Sequence, residues 1–182
     1  GHGVVGTTHA DDIETLVNRV IEKGVPTYLL REIDLVVFPR HVDGDRYVGE
    51  VVTFTEEPVR RDDGRSGTVR KDGTALHYET VCWRRSDGGY DFPGESRWGD
   101  DSATVLNRLA DLRDQPVDEV RQALDRRHRY VQYLVREGVT DFDALFGILA
   151  DLTTNEAATV ERLRREQGEA GPASVEVSDD AG

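Results

Sequence analysis

The first ten residues, Gly1-His2-Gly3-Val4-Val5-Gly6-Thr7-Thr8-His9-Ala10, gather the side chains best suited to chemistry: His2, Thr7, Thr8 and His9. Two hydroxyls beside an imidazole form a polar cluster that can hydrogen-bond an oxyanion and so sense a terminal phosphate. Val4 and Val5 predict a short strand, and a capped helix is predicted from residue 11. Residues 7–9 therefore fall where a strand ends and a helix begins. Ligands of open α/β sheets gather at the carboxyl ends of strands, and a helix N-terminus favours anions. The competing structural explanation makes His9 a helix-cap histidine and Thr7 and Thr8 ordinary strand-end residues. His2 and His9 could share a metal, but no third ligand stands near them in the sequence, so no metal site is predicted. Asp11 and Asp12 read as caps rather than catalytic acids.

The elements that must position these residues follow from periodicity. Over residues 11–23, Ile13, Leu16, Val17, Val20 and Ile21 recur at helical spacing. Asp11 with Glu14 three residues on reads as a capping box, and Gly24 and Pro26 end the helix. A short helical turn is predicted at 27–32. The continuous apolar run Leu35-Val36-Val37-Phe38 predicts a strand buried on both faces. Asp43-Gly44, Asp63-Gly64, Asp72-Gly73 and Asp87-Gly88 are turn signals. With β-rich stretches at 46–54, 74–84 and 90–92, they predict a small antiparallel sheet over 46–92.

From residue 101 the period becomes helical. Val105, Leu106, Leu109 and Leu112 form one stripe. Val117, Val120, Leu124, Val131, Leu134 and Val135 form a second, between Pro116 and Gly138. Thr140 opens a third with Phe142, Leu145, Phe146 and Leu149, and Asn155 caps a fourth carrying Val160 and Leu163. Short loops imply an antiparallel helical packet. Residues 169–182, small and acidic, predict disorder.

The formal net charge of −13 repels nucleic acid and anionic membrane at long range, so no nucleic-acid partner is expected. Lys23 and Lys71 are the only lysines. Acid-rich, lysine-poor composition resembles that of proteins from high-salt cytoplasm, where screening tolerates self-repulsion. The lone Cys82 can form no internal disulfide. No apolar run reaches the roughly 20 residues that span a bilayer, which predicts a cytoplasmic protein. Among other reactive residues, Trp83 and Cys82 read as core, and His41 as an exposed turn residue. His128, in Arg126-Arg127-His128-Arg129, reads as part of a solvated basic face.

The N-terminal segment resembles the histidine box of the secretion ATPase superfamily, whose members drive type II secretion, type IV pili, archaella and DNA transfer. Gly1-His2 and Thr7-Thr8-His9-Ala10 stand at that box's separation. The continuation is similar too: Asn18-Arg19 late in the helix, Val25-Pro26 after it, then Ile33-Asp34-Leu35-Val36-Val37. Residues 1–57 resemble the family well, and 58–168 resemble loosely the C-terminal extension of archaeal members. With the acidic composition, this implies a haloarchaeal chain.

The resemblance implies the following organisation. Residues 1–57 end a RecA-like P-loop ATPase domain, 58–100 form a small β-rich extension, 101–168 a helical extension, and 169–182 an acidic tail: an α/β architecture with an appended antiparallel sheet and helical packet. His9, Thr8 and His2 become candidate catalytic residues, with Thr7, Thr8 and His9 sensing the γ-phosphate and Arg19 lining a subunit interface. The intact motor uses ATP and Mg2+, forms a hexameric ring against the inner face of the cell membrane, and moves a membrane platform protein. The phosphate-cradling Gly-x-x-x-x-Gly-Lys-Ser/Thr loop is absent from these 182 residues. By itself the chain is expected to be an inactive piece of a longer ATPase that binds no nucleotide. The alternatives are a non-enzymatic adaptor built on the helical packet, and a metal-dependent hydrolase using His2, His9 and a carboxylate.

Overall fold

A computed structural model describes residues 4–92 and 104–167 of the chain. Two compact units divide it, residues 1–117 and 118–182. The first unit is an α/β layer. Helix α1 (Ile13–Glu22) and a 3-10 helix (Thr27–Glu32) accompany an antiparallel sheet of β1 (Val36–Val42), β2 (Asp45–Thr55), β3 (Ser66–Lys71), β4 (Thr74–Arg84) and the short β5 (Tyr90–Asp91). The strand order is β1-β2-β4-β3, with β5 pairing with β4.

Turn chemistry sets the register. Asp43 and Gly44 have φ of 52° and 92°, and Asp72 and Gly73 have 49° and 74°. Both central residues of each two-residue turn are thus left-handed, which matches the right-handed strand twist. Val42 accordingly pairs with Asp45, and Lys71 with Thr74.

α1 presents Ile13, Leu16 and Val17 to a core completed by Leu30, Phe38, Val52, Phe54 and Leu76. Val20 and Ile21 pack partly against it, so the predicted stripe is the buried one. Burying each such side chain contributes about 1.5–3 kcal/mol. The start of α1 differs from the predicted capping box. Asp12 caps the helix, its Oδ1 accepting from Thr15 N at 2.7 Å, because the first helical residue is Ile13 and a cap stands immediately before it.

Val36–Phe38 of the run 35–38 do open a strand, β1, but at the sheet's edge rather than buried on both faces. Val37 is 50% exposed, Leu35, just before the strand, is 45% exposed, and of the run only Phe38 is fully buried. Pro39 signals this placement, since proline donates no ladder hydrogen bond and is confined to edges and bulges. The register shifts at Phe38/Pro39. β3 carries no clear strand pattern in the sequence, because Gly67 interrupts it; the ring of the paired Tyr78 covers that glycine.

Helix α2 (Thr104–Arg113) belongs to the first unit. Arg108 donates to the Arg31 carbonyl at 2.9 Å and pairs with Asp34 at 3.2 Å. Its buried residues are Leu106 and Ala110, whereas Leu112, expected on the apolar stripe, is 70% exposed.

The second unit holds α3 (Val117–Arg136, from the boundary), α4 (Phe142–Thr154) and α5 (Glu156–Gln167). Tyr133, Leu134 and Leu163 form its core, with Leu145, Ile148 and Leu149 packed against them. Val131 and Val135 lie outside it, exposed. Asp141, not Thr140, caps α4 by accepting from Ala144 N at 2.9 Å, and Asn155 caps α5 through Ala158 N at 3.3 Å. Tyr130 donates to Glu156 at 2.7 Å; burial and that carboxylate push its phenol up to about 12. The acidic tail falls outside the described residues, among which no helix is long and apolar enough to cross a membrane.

Candidate functional site

Residues 4–10 carry no regular secondary structure. Val4 and Val5, expected to form a strand, are 90% and 96% exposed. A strand exists only through a neighbour's backbone, and none among the described residues pairs with them. Thr7 and His9 are exposed, Thr8 is half-buried, and His2 lies outside the described residues. Thr7, Thr8 and His9 are thus adjacent on an open segment leading into α1.

The first turn of α1 offers less to an anion than the sequence implies. The Asp12 carboxylate already takes the Thr15 N–H, and its Oδ2 accepts from the Thr15 hydroxyl at 3.1 Å. The backbone bond from Thr15 holds the Asp12 carboxyl below its ordinary 3.8 against the opposing desolvation, with the Thr15 hydroxyl, Glu14 N–H and Arg40 charge adding smaller contributions. A phosphate here would meet that carboxylate and the neighbouring Asp11. Contacts to an oxyanion at this place must come from the Thr7, Thr8 and His9 side chains themselves. Three adjacent side chains on an open segment have hydrogen-bonding groups for single contacts to an oxyanion but form no cradle for a whole nucleotide. Arg19 stands in the last turn of α1 and is exposed. Six residues of helical rise, about 9 Å, separate Arg19 from Ile13 at the start of α1, so Arg19 lies toward the far end of the helix from the segment that carries His9.

Arg40 fixes the end of this segment. Its guanidinium donates to the Asp11 carbonyl at 2.8 Å, and approaches the carboxylates of Asp11 at 3.7 Å and Glu50 at 3.8 Å. Gly49 makes this reach possible: a Cβ there would lie 2.7 Å from Arg40 Cγ and 3.3 Å from the Phe38 carbonyl. The bulge at Phe38/Pro39 and the missing side chain at Gly49 together let Arg40 lie flat across the sheet edge.

Arg40 also lines an open groove of about 410 Å3 with Tyr47, Arg65, Trp83, Arg84 and Arg85. The Arg65 guanidinium sits 4.0 Å above the Trp83 ring, and that of Arg84 4.0 Å above the Tyr47 ring. Arg85 is held by Asp87 at 3.1 Å and Asp91 at 3.0 Å. Of these residues the sequence singled out only Trp83, as core, whereas it is half-buried and lines the groove. Tyr47, Arg65 and Arg84 are far apart along the chain; the β2–β4 pairing, with Glu50 opposite Trp83, brings Tyr47 beside Arg84, and the β3–β4 pairing, extended by the bond from Thr80 N to the Arg65 carbonyl at 2.8 Å, brings in Arg65. The available signal was arginine among β-branched and aromatic residues in strands of an otherwise acidic chain. Among the described residues, no group of three or more His, Cys, Asp or Glu side chains gathers as metal ligands.

Compared with known proteins, the chain matches no family model, and no curated protein matches its sequence.

Proposed function

We propose that the chain is the C-terminal portion of an ATP-hydrolysing motor of the type II secretion and type IV pilus class, contributing its histidine box. The observation that carries this reading is the ordered set of Gly1-His2, Thr7-Thr8-His9-Ala10, Asn18-Arg19, Val25-Pro26 and Ile33-Asp34-Leu35-Val36-Val37 in the sequence. Two structural features are compatible with it. Val4 and Val5 are exposed, and the β1 edge leaves Val37 open, so both offer backbone and apolar surface that a RecA-like sheet would cover. In the intact motor, residues upstream would cradle ATP and Mg2+; His9 and Thr8 would contact the terminal phosphate, and Arg19 would face a neighbouring subunit of the hexamer. The ring would work at the cytoplasmic face of the membrane on a platform protein.

The test uses the motor with its upstream sequence. A contact made to the γ-phosphate in the transition state lowers kcat more than it weakens ATP binding when removed. His9→Ala is expected to reduce kcat by about 10²-fold with nucleotide affinity nearly kept. Turnover within twofold of the parent would remove His9 from the mechanism. A second reading, a non-enzymatic interaction module, draws on α4, which has no fully buried residue and exposes Phe142 and Phe146 with ring centroids 4.5 Å apart.

A further inference from the structure

The groove lined by Arg40, Arg65, Arg84, Arg85, Tyr47 and Trp83 is a concentration of positive charge on a molecule whose net charge is −13. Arg40 and Arg85 are engaged by this chain's own carboxylates. Arg65 and Arg84 differ. Each lies over an aromatic ring, and neither makes a carboxylate ion pair among the described residues. The Arg65 backbone N–H, donating to Asp63 at 3.0 Å, and then Arg61 hold the Asp63 carboxyl below its ordinary value; the Arg65 charge adds least, and the Arg65 guanidinium makes no ion pair with that carboxylate.

Stacking orders a guanidinium through its face and leaves its in-plane N–H groups free, a fork that matches a carboxylate bidentately. Two such forks, held beforehand on a rigid sheet, bind with little loss of side-chain freedom. The same arrangement argues against nucleic acid. The upper faces of Trp83 and Tyr47 are already covered by guanidinium, so a base cannot stack there. Glu50 lies within the groove, and the whole-molecule charge repels a polyanion. A peptide segment with few carboxylates meets less of that repulsion, and short bidentate hydrogen bonds survive high salt better than long-range attraction does. We infer that this groove is a docking site for an acidic, extended peptide segment of a partner protein, gripped at two carboxylates by Arg65 and Arg84. The inference is independent of the motor reading.

The experiment uses the full 182-residue chain and a fluorescein-labelled octapeptide of alternating Glu and Ser, followed by anisotropy. Saturable binding is expected, with no saturation by the Gln-for-Glu peptide. Arg65→Lys and Arg84→Lys keep the charge but lose the fork, and each is expected to weaken binding about tenfold. Arg129→Lys, in the second unit, should leave it unchanged. Absence of saturation up to about 1 mM peptide, equal binding of the Gln peptide, or unaltered affinity in both lysine variants would overturn the proposal. So would tighter binding of an eight-nucleotide oligothymidylate, which would make the groove a nucleic-acid site, or full competition by millimolar inorganic phosphate, which would make it a phosphate site. Should a lysine variant melt early, the Glu-versus-Gln comparison on the unaltered chain decides alone.

Discussion

At the scale of single residues, Asp12 illustrates how one carboxylate both shapes and limits the candidate site. It satisfies a backbone N–H that would otherwise be free at the start of α1, and by doing so it occupies the place an anion would seek. Asp12→Ala is expected to lower stability by about 1 kcal/mol, measured by urea unfolding at neutral pH, while Asp12→Asn keeps most of the cap. The folded-state pKa of Asp12 is depressed, so its ionised form is the one the fold favours. The electrostatic part of its contribution is present above the ordinary carboxyl value of 3.8 and is lost as pH falls through the lower folded value. The gap between parent and Asp12→Ala should therefore narrow below about pH 3.8. An Asp12→Ala chain as stable as the parent at pH 7 would show that the cap is replaced by water. His9 stands apart from this: on the proposed motor reading its removal is expected to lower the motor's turnover, and, as an exposed residue ahead of α1, to leave the helix intact.

At the scale of elements, glycines placed opposite large side chains govern how the sheet closes. Gly67 pairs with Tyr78 in the β3–β4 ladder. A Cβ there would lie 2.7 Å from the Tyr78 hydroxyl and 2.8 Å from its Cζ, so the ring must move. Tyr78 packs against the first unit's core, and it has little room to do so. Gly67→Ala is expected to cost about 1–3 kcal/mol from this overpacking, read as a lower midpoint in thermal or urea unfolding. The double variant Gly67→Ala, Tyr78→Ala should show much less than the sum of the two single losses, because the clash needs both side chains. Strict additivity would mean that Gly67 matters for its backbone alone.

At the scale of the whole molecule, charge dominates. Thirty-six acidic residues stand against 23 basic ones. Many of the arginines are spent locally: Arg85 on Asp87 and Asp91, Arg108 on Asp34, Arg162 on Asp151. The remaining acids repel one another in the compact state. Salt shortens the Debye length to about 3 Å at 1 M, which relieves that repulsion more than it weakens exposed ion pairs of low individual worth. The melting temperature is expected to rise markedly from dilute buffer to molar KCl. A flat or falling melting curve series would show that local pairs outweigh the net charge.

The sequence by itself determined the elements whose causes are local. α1 follows from its apolar spacing and from Gly24, with φ of 88°, which ends it. The hairpins follow from Asp43-Gly44 and Asp72-Gly73, because few other residue pairs occupy left-handed φ twice in succession. The α5 cap follows from Asn155, whose short side chain reaches the backbone N–H three residues on. Tertiary structure decided whatever depends on a neighbour distant in the chain. Val4 and Val5 have strand-forming side chains but no partner strand among the described residues. The apolar run 35–38 became an edge, because strand order is a property of the sheet and not of the run. Asp12 rather than Asp11 caps α1, since the choice rests on where the first helical turn closes against the core. The arginine–aromatic groove was the least legible feature. Trp83 reads as a core residue and Tyr47 only as part of a β-rich stretch, and their stacked arginines arrive through the pairing of β4 with β2 and with β3, which no local pattern encodes.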